Sequence, residues 1–342
     1  MRTMLIGVRA TLSTLALVLI GSGNAFSQNA VQFDGTNDYV TFGTATATLG
    51  ANNFTIETWF VRTGAGAATS TGSGGVTSAI PLLAKGRGEA DGSNVDCNYF
   101  LGIATPSNVL AVDYEDNGTG LNHPLTGVTP ILNNVWYHAA ATYDGATLRL
   151  YLNGVLEASV ASTIPPRFDS IQHASLGSAL TSTGVAAGFF AGRIDEARIW
   201  NVARSQAQIQ TDALLEIASG AGLLGRWGLN DGTGTSAANS VAGSPAGTLT
   251  NGPTWSAGTP FVFGAPLAPS APSAFAVSAP TYGQAHLSWT DNATDEPGFQ
   301  VERSTTGVGG PYTLIATTAA NAVLYDDLNR TTGTEYCYRV RA

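Results

Sequence analysis

Lysine occurs once in the 342 residues, at Lys85, and cysteine twice, at Cys97 and Cys337. A chain with formal charge −9 and no basic cluster has nothing to neutralise a phosphate backbone, so nucleic acid is not an expected partner. The two cysteines fall in what read as different domains, so no disulfide framework can be drawn inside either, and both are read as free thiols or as partners of groups outside the chain. Charged residues are also scarce, at 11%, while Gly, Ala, Ser and Thr abound. That balance suits a β-rich secreted protein with many turns better than a helical enzyme. The 44% hydrophobic content argues against disorder.

Long apolar runs are missing too, except at the N-terminus. Arg2 and Arg9, an apolar run from Ala10 to Ile20 and small residues at Ala25 and Ser27 form the three parts of a secretory signal peptide, with cleavage expected before Gln28. Its apolar run falls short of the roughly 20 residues of a membrane-spanning helix. No transmembrane segment is expected elsewhere, which predicts an exported chain, secreted or at the cell surface.

What the sequence does have is alternation. Trp136 to Tyr143 reads as a strand, Asp144-Gly145 as a tight turn, Leu148 to Leu152 as a second strand and Asn153-Gly154 as a further turn, giving consecutive antiparallel hairpins. Phe54, Ile56 and Phe60 alternate with Thr55 and Glu57, again with period two, and Trp59 shares the polar register. Further strands are expected at Pro81 to Lys85, Asn98 to Ile103 and Val109 to Tyr114. Gly64 to Ala79 can bury little apolar surface and reads as an exposed, mobile loop. Ser205 to Leu215 has helical spacing, with Ser205 as N-cap.

The Trp136 to Gly154 hairpins, the opening Ala30 to Val40 and the closing run Phe190 to Asn201 closely resemble the laminin-G-like, concanavalin A-like jelly-roll family. The resemblance extends from about Ala30 to Phe261. It implies an antiparallel β-sandwich used outside cells mostly for binding. After the proline-rich stretch Pro266 to Pro272, the residues around Trp289, Phe299 and Tyr336 to Ala342 resemble a bacterial fibronectin type III domain. That resemblance implies a core role for Trp289, a backbone-directed hydroxyl for Tyr336, and a sandwich that stops before its last strand. Period two places Cys337 on the outer face of its strand. The expected organisation is a signal peptide at 1–27, a jelly-roll domain at 28–262, a linker at 263–272 and a truncated fibronectin type III domain at 273–342, all-β throughout.

Catalytic patterns are not found. The paired-carboxylate strand of laminarinase-type glycoside hydrolases, E-x-D-x-(x)-E, has no counterpart: Glu89-Ala90-Asp91 lacks a following glutamate, and Asp195-Glu196 point to opposite faces of a strand. His123, His138, His173 and His286 have no zinc spacing, and His138 reads as a satisfied core histidine. Asp34, Asn37 and Asp38 form an oxygen-rich opening turn. The jelly-roll resemblance implies a structural calcium tying the first and last strands through Asp34 and Asp195, the competing reading of Asp34 being a simple turn residue. Asp113, Tyr114, Glu115, Asp116 and Asn122 follow a strand, where polar groups could meet sugar hydroxyls, against the plainer reading of a solvated acidic loop. All six tryptophans fall at motif positions and read as core, so no sugar-stacking face can be named.

The function these readings support is non-catalytic recognition of an extracellular glycan or protein, adhesin-like, with the second domain as spacer. An accessory carbohydrate-binding region of a polysaccharide-degrading enzyme and a structural surface stalk are the alternatives.

Overall fold

Almost every stretch with period-two alternation is a strand. A computed structural model describes residues 29–90, 93–258, 271–292, 298–331 and 333–341. The leader and positions 263–270 of the linker lie outside the described residues. The described residues fall into two compact units, 29–258 and 271–341.

In chain order the first unit contains β1 (Asn29–Asp34), β2 (Tyr39–Thr41), the single turn α1 (Thr46–Leu49), β3 (Phe54–Arg62), β4 (Ala79–Lys85), β5 (Tyr99–Ala104), β6 (Val109–Asp113), β7 (Leu125–Thr126), β8 (Trp136–Tyr143), β9 (Thr147–Leu152), β10 (Val155–Ala161), β11 (Ala174–Leu176), β12 (Ser178–Leu180), β13 (Ala186–Phe189), β14 (Ala191–Trp200), α2 (Gln206–Asp212), β15 (Leu223–Trp227), β16 (Ser236–Ala237), β17 (Gly247–Thr250) and β18 (Thr254–Ala257). One antiparallel sheet runs β10-β9-β8-β3-β14-β1-β18, with β15 also on β14, and the second runs β16-β17-β2-β11-β4-β5-β6-β7. The fold is an all-β sandwich.

Turn chemistry sets the register of the central hairpins. The Asp144 carboxylate accepts from the Ala146 and Thr147 amides at 2.9 and 2.8 Å, closing β8 onto β9. Asn153 and Gly154 take φ of +50° and +73°, the left-handed pair that a two-residue hairpin turn requires. The inner faces enclose an aromatic interior in which Phe54 contacts Tyr99, Tyr114 and Tyr143, and Phe60 contacts Phe190. Each such side chain, fully buried, contributes about 1.5–3 kcal/mol. The sequence β-pattern therefore carries most of the stability.

The Gly64 to Ala79 segment corrects the expectation of an exposed loop. Ala67 and Thr69 bridge to Phe189 and Ala79, and Thr71 and Val76 are buried. Small residues let this segment lie flat on the outer face of the second sheet, where Val76 joins Ala84, Phe100 and Ala111 in a buried cluster.

The second unit pairs β19 (Ser273–Ser278), β20 (Ala285–Thr290) and β23 (Leu324–Asp327) in one sheet, and β22 (Thr313–Thr317), β21 (Gln300–Ser304) and β24 (Cys337–Arg341) in the other. Trp289 is buried against Phe299, with ring centroids 5.4 Å apart, and the Tyr336 hydroxyl accepts from the Thr331 amide at 3.2 Å. Cys337 shares the outer face of β24 with Arg339 and Arg341, opposite Tyr338 and Val340, which pack on the core, yet is itself buried. Farther along that face Arg339 and Arg341 are exposed, with Arg339 stacked 4.4 Å from the Tyr312 ring.

Candidate functional site

The structure separates the two carboxylates expected to share a calcium. β1 pairs with β14 so that Asp34 lies opposite Ala191, four residues from Asp195, or roughly 13 Å along the strand. Asp34 instead shapes its own turn: its Oδ1 accepts from the Thr36 amide at 2.7 Å, and its amide donates to both Asp38 oxygens. Asp195 is fully buried, and its carbonyl accepts from the Thr58 hydroxyl at 2.9 Å. The pair therefore does not fit one ion. Among the described residues no group of three His, Cys, Asp or Glu side chains is arranged to hold a metal ion.

The residues of the strongest sequence motifs converge elsewhere, on the outer face of the first sheet beneath α2. Glu57 Oε1 accepts from Trp200 Nε1 at 3.0 Å and faces Arg198 Nε at 3.1 Å and Arg204 Nη1 at 3.6 Å. His138 Nε2 lies 3.4 Å from Glu57 Oε2, all of it shielded from solvent. Burial pushes the Glu57 carboxyl up, but Arg198, His138 and Arg204 outweigh it and hold it at about 2. Burial also holds the His138 imidazole below its ordinary value. Arg198 reaches on to the Asp212 and Leu215 carbonyls at 3.0 and 3.1 Å, at the C-terminus of α2, and Arg204 pairs with Asp212. This cluster fastens the helix to the sheet. Charged residues on the polar register of β3 and β14 were the visible sign of it, but only the fold shows that they meet.

The acidic group after β6 is neither solvated nor free. Asp113, Tyr114, Glu115 and Asp116 are all at most 1% exposed. Asp113 accepts from the Thr71 hydroxyl at 2.5 Å and from the amides of Val76, His123 and Tyr114 at 3.0, 2.8 and 2.8 Å. Even so, burial raises its carboxyl to about 6. Glu115 accepts from the Cys97 amide and from Asn122 Nδ2, and burial, with Asp96 and Asp113 nearby, raises it to about 8. Asn122 Nδ2 also donates to the Ser73 carbonyl at 3.0 Å. Tyr114 points inward, its hydroxyl held by Ser162 and the Ile164 carbonyl at 2.6 and 2.9 Å. Asp113, Tyr114, Glu115 and Asp116 therefore offer no free polar face for sugar hydroxyls, while Asn122 is half-buried with its amide nitrogen turned onto Ser73 and Glu115.

What they build is a rigid rim. Asp116 accepts from the Gly118 and Thr119 amides, the Thr119 hydroxyl and His123 Nε2, the last at 3.0 Å. Beside an ionised Asp116, His123 donates from Nε2, and its Nδ1 accepts from the Ser162 hydroxyl at 3.1 Å. The serine, histidine and aspartate thus stand in hydrogen-bonded sequence, a juxtaposition invisible in the primary structure. Ser162 is only 6% exposed and sits against Tyr114, so the chain braces the turn rather than presenting a nucleophile. The His123 ring stacks on Tyr114 at 4.6 Å. Held this way, the turn presents Thr119, Leu121 and Pro124 outward, Leu121 being 60% exposed.

The sequence profile described as the concanavalin A-like lectin/glucanases superfamily matches residues 34–210. Mouse pappalysin-1 is 29% identical over 130 residues, covering 36% of this chain and 7% of that protein. Among solved structures, a Bacteroides ovatus protein described as carbohydrate-binding has 23% identity and a TM-score of 0.49 over 70% of this chain and 61% of its own. The SAP-like pentraxin of Limulus polyphemus has 13% identity and a TM-score of 0.39 over 56% of this chain and 84% of its own. The chain thus spans less than two thirds of the first two.

Proposed function

Because this chain belongs to the concanavalin A-like lectin/glucanases superfamily, we propose that its first unit is a non-catalytic recognition module, secreted or cell-surface, that binds an extracellular glycan or protein. The observation that carries the reading is the turn 116–123. Its backbone is fixed in advance by the buried Asp116 carboxylate, so a partner docking on Thr119, Leu121 and Pro124 meets a surface that loses little freedom on binding. Six strands in two sheets, with a buried Trp289, support a fibronectin type III reading of the second unit, whose part is that of a spacer in an adhesin-like protein.

The test is a glycan and matrix-protein array probed with the full chain and with Leu121→Asp. We expect binding to at least one ligand class, weakened tenfold or more by the substitution. Absence of binding to every ligand removes the proposal, and retention of full affinity by Leu121→Asp removes the assigned face.

A further inference from the structure

The second sheet carries a cover, and the groups beneath it are carboxylates. Residues 71–76 (Thr-Gly-Ser-Gly-Gly-Val) have no ionisable side chain of their own. They rest directly on Asp113, Glu115 and Asn122, and glycine makes that approach possible. A Cβ at Gly75 would sit 2.5 Å from both Asp113 Oδ2 and Asn122 Oδ1, and one at Gly72 would sit 3.0 Å from Glu115 Oε1. Three contacts hold the cover down: Thr71 Oγ1 and the Val76 amide on Asp113, and the Ser73 carbonyl on Asn122, whose amide nitrogen also donates to Glu115.

The surroundings of Glu115 are short of positive charge. Asp113 lies beside it on β6, and Asp96 and Cys97 face it from the segment preceding β5. Arg167 is engaged with Asp96 at 3.1 Å and gives Glu115 only a backbone contact, its amide donating to the Glu115 carbonyl at 2.9 Å. Lys85, across Cys97, spends its ammonium on the Thr44 and Gln172 carbonyls. His123 turns its ring to Asp116 and offers Asp113 its backbone amide. A proton on Glu115 therefore removes a negative charge that would otherwise stand beside Asp113 under the cover, with Asp96 nearby.

We propose that residues 71–76 form a proton-controlled cover, seated on the second sheet while Glu115 is protonated and loosened when Glu115 ionises. Loosening would bare the buried cluster of Val76, Ala84, Phe100 and Ala111. Opening returns Glu115 to water and to an ordinary carboxylate range, so the opening constant rises with pH wherever the closed form still holds the proton. For a single proton that is about tenfold per pH unit. Between pH 6 and 8 Glu115 passes from protonated to half ionised, which raises the constant about fiftyfold, and the completion of Asp113 ionisation adds about twofold.

Hydrogen exchange on the full chain tests this. After correction for intrinsic rates, protection of the Thr71 and Val76 amides should fall about a hundredfold from pH 6 to pH 8. In Glu115→Gln it should change only about twofold over the same range, while amides in β14 remain far better protected in both proteins. Protection that does not change with pH in the native chain overturns the proposal without recourse to the variant. So does loss of protection at Thr71 and Val76 only in step with β14, because the cover would then open only with the whole sandwich.

Discussion

At the scale of single residues, the most consequential side chains are charged ones that never reach solvent. Glu57 has Arg198, Arg204 and Trp200 around it, and removing one member leaves an uncompensated charge in a dry place. Arg198→Met should lower unfolding free energy by about 3–5 kcal/mol, measured by urea denaturation, because Glu57 and the carbonyls at the end of α2 lose a shared donor. Arg193, on the same strand but reaching the Ala257 carbonyl near the surface, is the control, and its replacement should change stability by less than about 1 kcal/mol. These roles were only half legible. Glu57 was visible only as a polar position of an alternating strand, and His138 and Arg198 as members of runs that resemble the family, which does not say whether they touch a ligand or one another. Asp34 and Asp195 show the opposite failure: matching motif positions suggested a shared ion, and the pairing of β1 with β14 sets them four residues apart.

Among elements, α2 is where local chemistry and tertiary packing can be separated. Ser205 accepts from the Gln208 amide at 3.2 Å while Gln208 Oε1 accepts from the Ser205 amide at 2.9 Å, a reciprocal cap that closes the first turn. Ile209 then packs on Ala140 and Tyr151. Ser205→Ala should cost about 1 kcal/mol and Ser205→Gly only a few tenths, whereas Ile209→Ala should cost about 2–5 kcal/mol. Urea titration of the three variants checks the order, and equal losses would mean that the cap governs docking. The helix and the hairpins could be read from the sequence because their causes are local: a capping residue, a period of two, an Asn-Gly turn. The burial of Asp113 and Glu115 could not, since it results from the Gly64 to Ala79 segment folding back over the second sheet, and a run of small residues does not announce where it will lie.

For the whole molecule the buried carboxylates set the response to pH. Asp38 and Asp113, raised to about 6, and Glu115, raised to about 8, bind protons more tightly folded than unfolded. Their contribution favours the fold below about pH 4 and is lost as pH climbs through the folded values. Glu57, held at about 2, works in the other sense, and its contribution is present above about pH 4.5 and lost as pH falls toward 2. The melting temperature should therefore peak near pH 4 to 5 and decline on both sides, with Glu115→Gln flattening the branch between pH 6 and 8. A thermal scan from pH 3 to 9 measures it, and a maximum at pH 8 would contradict the assigned burial. Lys85 carries one more consequence. As the sole lysine of this sequence, fully buried with its ammonium on two backbone carbonyls, it leaves the surface of the described residues without an ε-amine. Acylating dyes, aldehyde crosslinkers and enzymes that build isopeptide bonds then meet no ε-amine on the described residues until the sandwich comes apart and exposes the nitrogen it had enclosed.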